Sequence, residues 1–318
     1  MGVYHLSGLG VNLGALTVPI STVYILQMAQ HCGVKVAENF FAASGEAERK
    51  GSQEGIRGQV ECVIAFTSKE VAEGDALREC ESKWFNLKFE KGTPLDEVCS
   101  KFFDKLFGHM KKEFRFEPRK FEFLVIQVDH RNFEDCFRKI GPTLKALVDK
   151  ELWANMIGGT NQINMAILTA GAYVASVSKY YYLFQENQKL LEPEWADKPT
   201  KNNIGNLALK AIESWYEIPI FNLDLGDLMT ELKKTFEGKE KINIGELRSI
   251  LDGLNLGKEY IPKLRGILLF ENETVRKGPF FERLLKLWEE LDSIRIKNYS
   301  EWKKWAKNEG VLKEVKIF

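Results

Sequence analysis

The chain has 318 residues, enough for two domains that each bury a sizeable core. Hydrophobic residues make up 44% and charged residues 28%, as in ordinary globular proteins, and 45 basic residues against 45 acidic ones leave a net charge of zero. That balance excludes a whole-protein field that would draw nucleic acid or an anionic membrane, and leaves only local basic patches.

The five cysteines (Cys32, Cys62, Cys80, Cys99 and Cys136) show no CxxC spacing, and the four histidines are scattered. Neither a disulfide framework nor a zinc site is expected, and a reducing, cytoplasmic setting fits best. The N-terminus has no basic stretch ahead of an apolar one, and no apolar run nears the roughly 20 residues of a membrane span. Neither a signal peptide nor a membrane segment is expected.

In chain order, Val3–Leu6 reads as a strand running into the glycine loop Ser7–Gly14, and an apolar helix pattern follows from Leu16 to about Gln30. Val34–Phe41 is expected as a strand and Ser44–Gly58 as a long polar loop. Val60–Phe66 is a buried-strand pattern ending in Thr67-Ser68-Lys69-Glu70, a polar strand end with a helix cap. Trp84–Phe89 alternates as a strand does, and Leu95–Phe114 carries a helical stripe.

Phe121–Val128 is another strand, followed by Asp129-His130-Arg131 and a helix to about Asp149. Trp153–Ile157 is a short apolar strand, then Gly158-Gly159-Thr160 turns into a helix from Gln162 to about Ser176. Lys179–Gln185 adds a last strand. Alternation of this kind predicts an α/β fold with a doubly wound, mainly parallel sheet over residues 1–188.

Glu186–Asn203, with Pro193 and Pro199, reads as a linker to a mostly helical unit over residues 204–318. There, helices are expected at Ile204–Tyr216, Leu225–Phe236, Ile244–Leu251, Lys258–Ile267, Phe280–Ile294 and Tyr299–Lys307. Gly253 and Gly257 flank a connection that suits a helix–turn–helix, and Leu268–Lys277 reads as a wing-like pair of strands around Glu271-Asn272-Glu273. Lys258, Tyr260, Lys263, Arg265, Arg276 and Lys277 are the candidate contacts to DNA phosphates in this winged-helix-like unit. From Leu191 onward there are 22 basic and 22 acidic residues, so a solvated helical face in a dimerisation module is the plainer expectation.

Two strand–glycine loop–helix units about 150 residues apart, at Ser7–Gly14 and Gly158–Gln162, predict one crevice at the carboxyl edge of the sheet. Glycines let a ligand approach the backbone, and a helix N-terminus offers free N–H donors and partial positive charge, which suits phosphate. Ser7, Asn12, Thr160, Asn161, Gln162 and Asn164 add hydroxyl and amide groups with no fixed charge. There is no GxxxxGK[ST] motif, and no acidic residue stands where a dinucleotide ribose needs one. His5, within the first strand, is expected as a core histidine.

Gly158-Gly159-Thr160-Asn161-Gln162 after an apolar strand resembles the glycine–glycine–threonine motif of CRISPR-associated Rossmann-fold (CARF) domains, and Leu6–Gly10 resembles their first ligand loop. The β/α order is similar over about the first 190 of 318 residues. The resemblance implies a homodimer that binds cyclic oligoadenylate, most simply cyclic tetra-adenylate, in type III CRISPR antiviral signalling. It also implies a metal-independent ring nuclease without cofactors, whose chemistry needs orientation and oxyanion donors more than a metal.

On that reading Ser7 and Asn161 are the candidate catalytic residues. Gly8, Leu9, Gly10, Asn12, Gly158, Gly159, Thr160 and Gln162 are the candidate ligand-binding ones. Asn161 stands where many members carry lysine, so Lys69 or Lys179 is the candidate source of positive charge. No histidine follows His130, which removes the arginine–histidine ribonuclease motif that such proteins often carry. The alternatives are a ligand-responsive DNA-binding regulator and a nucleotide-binding α/β enzyme of another family.

Overall fold

The computed structural model describes residues 2–42, 44, 57–174, 176–218, 225–296 and 298–317. The chain opens with β1 (Val3–Leu9), α1 (Gly14–His31), α2 (Lys35–Ala42), β2 (Val60–Thr67) and the short α3 (Lys69–Ala72). A hairpin of β3 (Cys80–Ser82) and β4 (Leu87–Phe89) precedes α4 (Leu95–His109), which ends in a π-helical turn, Met110–Phe114. Then come β5 (Glu122–Gln127), α5 (Phe133–Ala146), β6 (Glu151–Asn155), α6 (Asn161–Val174) and β7 (Val177–Tyr182).

Strands β5-β2-β1-β6-β7 lie side by side and all run parallel, the α/β arrangement expected from the alternation. Such a sheet is covered on both faces, and its strands divide residue by residue between two cores. Val63 and Ala65 of β2 face one core with α1, α2 and α4; Cys62, Ile64 and Phe66 face the other with α5 and α6. Helix α1 is buried on nearly every side, from Gly14 to Ala29, which explains its lack of a polar face.

The rest of the chain runs α7 (Ile204–Ser214), β8 (Tyr216–Ile218), α8 (Leu225–Phe236), β9 (Lys241–Asn243), α9 (Ile244–Gly253) and a 3-10 helix at Lys258–Gly266. It closes with β10 (Leu268–Glu271), β11 (Thr274–Lys277), α10 (Phe281–Ser293), α11 (Tyr299–Asn308) and β12 (Leu312–Ile317). The hairpin of β10 and β11 pairs with β9 in a small antiparallel sheet beside α8 and α9. Strands β8 and β12 return to the large sheet and pair antiparallel at its two edges. The core under α5 and α6 runs on into α8, α10 and α11.

Three local expectations are corrected. Val34–Phe41 is not a strand: α2 takes up all of it but Val34, with Ala37 and Phe41, one turn apart, both buried. In Trp84–Phe89 only the last three residues are strand; Asn86 has φ 52° and turns the hairpin, while the Ser82 hydroxyl accepts the Phe85 N–H. Within Lys258–Ile267 the residues Lys258–Gly266 form a 3-10 helix containing Pro262 rather than an α-helix. The Ser44–Gly58 loop lies outside the described residues except at its two ends.

Glu186–Asn203 is packed down, not a free tether. Leu190, Leu191 and Glu192 are buried, and the Glu192 carboxylate accepts the N–H groups of Lys83 and Trp84 in the hairpin. Burial pushes that carboxyl above its ordinary range.

Candidate functional site

The connection from β5 to β6 crosses to the other side of β1, so the crevice between β1 and β6 is the place where the strand order reverses. Both glycine loops meet there. A Cβ on Gly158 would run into the Gly8 carbonyl, and a Cβ on Gly159 would lie 2.8 Å from Gly8 Cα. Gly159 also has φ +77°, a conformation that side chains rarely adopt. The glycines at 8, 158 and 159 thus let the two loops touch.

Asn155, the last residue of β6, fastens this contact. Its side-chain amide donates to Ser7 Oγ at 3.0 Å and to the Ala15 carbonyl at 2.8 Å, and its oxygen accepts the Ile157 N–H. The residue was not among the sequence candidates. A polar side chain ending an apolar strand just before a glycine pair was the signal for it.

Two adjoining recesses open at this edge and share Gly10 and Val11. The larger, about 750 Å³, is walled by Leu9 and Gly10 at the end of β1, Ser68, Lys69 and Glu70 after β2, Asp129, His130 and Arg131 after β5, and Thr160. The smaller, about 300 Å³, is walled by Asn12, Gly158, Gly159, Leu183, Gln185 and Gln188, together with the first turns of α1. No atom lies within 4 Å of a Cβ built on Gly10, so this glycine faces open space.

Leu9, Gly10, Asn12, Gly158, Gly159 and Thr160 therefore come together at the recesses. Gly8 lies behind them, against Gly158 and Gly159. Ser7 is 2% exposed within β1; its hydroxyl donates to the Gly8 carbonyl at 2.9 Å and accepts from Asn155. Asn161 is exposed at the start of α6 and Gln162 is half-buried beside it; neither walls a recess. Asn164 donates to the Met156 carbonyl while its amide oxygen is buried without a partner. The Thr160 hydroxyl donates to the His130 carbonyl at 2.9 Å and ties the α6 loop to the α5 loop. Asn12 donates to Gln188.

The charge of the site comes from the ends of β2 and β5. Lys69 walls the larger recess, with Glu73 at 3.9 Å. Lys179 does not reach it: its ammonium pairs with Glu217 at 2.6 Å and lies over the rings of Phe40 and Trp153. Arg131 and His130 stand with Lys69, facing the carboxylates of Glu70 and Asp129. The Glu70 carboxyl is held below its ordinary range, chiefly by its own backbone N–H and the Ser68 hydroxyl, with smaller help from His130 and Arg131. Among the described residues no three His, Cys, Asp or Glu side chains converge as a metal site would require. No described helix is long and apolar enough to cross a membrane.

His5 sits in β1 at 1% exposure, edge-on to Trp153 and Tyr181, with Nδ1 3.3 Å from the Tyr181 hydroxyl. Burial alone pushes its imidazole down to about 3, the behaviour of a core histidine.

Three of the cations expected to contact DNA in the C-terminal part are engaged. Arg276 pairs with Glu271 at 2.7 Å, Lys277 with Glu282 at 2.8 Å, and Lys263 lies over the Tyr260 ring.

No family model matches the chain. Among solved structures, Enterococcus italicus Csm6 bound to cyclic hexa-2'-fluoro-hexa-dAMP aligns with 96% of this chain at 12% identity and a TM-score of 0.32. This chain spans about half of that protein, 54%, and an overlap of that quality carries no argument about ligand or activity. A protein of Archaeoglobus fulgidus described as an uncharacterized protein is 46% identical over 319 residues, covering 100% of this chain and 98% of its own. The chain belongs to the same family as that archaeal protein.

Proposed function

We propose that the chain is a cyclic oligoadenylate receptor, with cyclic tetra-adenylate as the first ligand to test, and that it works as a CARF-type homodimer in type III CRISPR signalling. The observation that carries this reading is the pair of joined recesses at the strand-order reversal. One is lined by Lys69 and Arg131, beside the carboxylates of Glu70 and Asp129, and can take phosphates; the other is lined by the amides of Asn12 and Gln188 and suits a base. A ligand that needs both is a nucleotide with exposed phosphodiesters. The glycine–glycine–threonine resemblance narrows that class to cyclic oligoadenylates.

Phe184, 69% exposed between Leu183 and Gln185 of the smaller recess, supports a second subunit docking beside the site. Metal-independent ring-nuclease activity belongs to the same reading. Asn161, exposed in the first turn of α6, walls neither recess and acts at most from the rim, and Ser7 acts indirectly, through Asn155 and the loop that it braces. The C-terminal winged-helix-like part serves as the dimer's helical partner module, with DNA binding the weaker role for it.

The test is calorimetric titration of the full chain with cyclic tri-, tetra- and hexa-adenylate, with linear tetra-adenylate as control. Tight binding of one cyclic species is expected. No binding to any of them retires the reading.

A further inference from the structure

Among the described residues the four histidines divide sharply. His5 is buried in the sheet, His31 stacks on Phe116, and the His109 ring nitrogen bonds to the Pro199 carbonyl at 2.6 Å. His130 alone walls either recess. It stands at the carboxyl end of β5 between Asp129 and Arg131, facing Lys69 and Glu70 across the larger recess. Its backbone is fixed independently of its ring, because its carbonyl accepts the Thr160 hydroxyl and the next helix is capped by Asn132, which accepts the N–H groups of Glu134 and Asp135.

An imidazole held in a cleft beside a lysine and an arginine is the equipment for moving a proton while a phosphodiester reacts. Ser7 is too deeply buried to do so, and Asn161 has no proton to exchange at neutral pH. We infer that His130 is the proton-transferring catalytic residue of this site, acting on a ribonucleotide phosphodiester with Lys69 and Arg131 neutralising its phosphate. The inference rests on the receptor reading above.

The step balances within the ligand. The ribose 2′-oxygen forms a bond to its own phosphorus, and the P–O5′ bond breaks. The imidazole takes the 2′-hydroxyl proton, and the imidazolium so formed returns it to the departing 5′-oxygen. The product is a linear oligonucleotide with a 2′,3′-cyclic phosphate and a 5′-hydroxyl. Arg131 and Lys69 supply opposite charge where it builds on the phosphoryl oxygens and never exchange a proton.

The test uses the full chain, excess over labelled cyclic tetra-adenylate in single turnover, and separate titration with the 2′-deoxy analogue, which binds but has no nucleophile. His130→Asn is expected to keep affinity for the analogue within about twofold while slowing cleavage by roughly 10²–10⁴-fold. Arg131→Ala is expected to weaken analogue binding about tenfold or more. Wild-type cleavage undiminished in His130→Asn overturns the assignment. So does wild-type protein that binds cyclic tetra-adenylate and leaves it intact, an outcome in which the receptor reading stands. If the wild-type protein binds neither ligand, the receptor reading fails and the assignment falls with it.

Discussion

A Cβ placed on Gly8 would stand 2.8 Å from the carbonyl oxygen of Gly158, so the two loops of the site are pressed together backbone to backbone. Glycine at 8, 158 and 159 is required by that contact before any ligand arrives, which makes these positions poor probes of binding. Gly10 has open space around it, so a side chain added there meets no other part of the protein within 4 Å.

The two kinds of glycine predict opposite phenotypes. Gly158→Ala is expected to destabilise the fold by about 1–3 kcal/mol, because the Gly8 backbone must move. Gly10→Val is expected to leave urea unfolding unchanged and to weaken cyclic tetra-adenylate at least tenfold by filling the shared mouth of both recesses. A Gly10→Val protein that binds as tightly as wild type shows that the ligand does not pass there.

His5 predicts an acid-sensitive fold. Its imidazole is pushed from 6.5 down to about 3 by burial, so between those values the unfolded chain holds a proton that the folded chain rejects. Stability is therefore complete above about pH 6.5 and is lost as pH falls, by about 1.4 kcal/mol per unit until the folded value is reached. His5→Phe keeps a ring against Trp153 and removes the proton. Its loss of stability between pH 7 and pH 5 is expected to be roughly 2 kcal/mol smaller than that of wild type. Parallel losses in the two proteins would show that His5 does not titrate in this way.

The parallel sheet and both glycine loops were legible because strand, turn and helix follow one another within a few residues. What stayed hidden depends on distant partners. Ser68-Lys69-Glu70 and Asp129-His130-Arg131 each read as polar strand ends, but nothing local says that β2 and β5 are sheet neighbours and so set these ends across one recess. Lys179 looked equally suitable until β7 placed it in register with Trp153, beside Glu217 on β8. Strand β8 was missed because it has only three residues and, at the sheet edge, needs no continuous apolar run, as the exposed Tyr216 and Glu217 illustrate. Val34–Phe41 misled because eight residues with five apolar side chains fit either period until their partners are known.

The two lysines separate binding from folding. Lys69→Ala is expected to weaken cyclic tetra-adenylate about tenfold without changing stability, since its side chain is 69% exposed at the recess. Lys179→Ala is expected to leave affinity unchanged and to cost about 1 kcal/mol of stability, because its half-sequestered ammonium loses both Glu217 and the Trp153 face. Denaturant curves and titrations on both variants check this. Reversed phenotypes would move the phosphate subsite to the β7 side.

The small antiparallel sheet of β9, β10 and β11 includes the pair of strands expected as a wing, and its cations are paired. Lys241 and Arg276 both pair with Glu271, at 2.8 and 2.7 Å, and Lys277 pairs with Glu282 while covering the rings of Phe236 and Phe281. Each pair is exposed and worth little to folding, yet a phosphate must compete with a carboxylate already in place. The element expected to enter a groove is a 3-10 helix with Pro262 inside it, narrower than an α-helix and poorer in aligned hydrogen bonds. Duplex titration in low salt is therefore expected to show no measurable binding, with or without cyclic tetra-adenylate. Binding that weakens steeply with salt, and whose log–log slope falls by about one in Arg276→Ala, would overturn this and make the wing a ligand-controlled DNA contact.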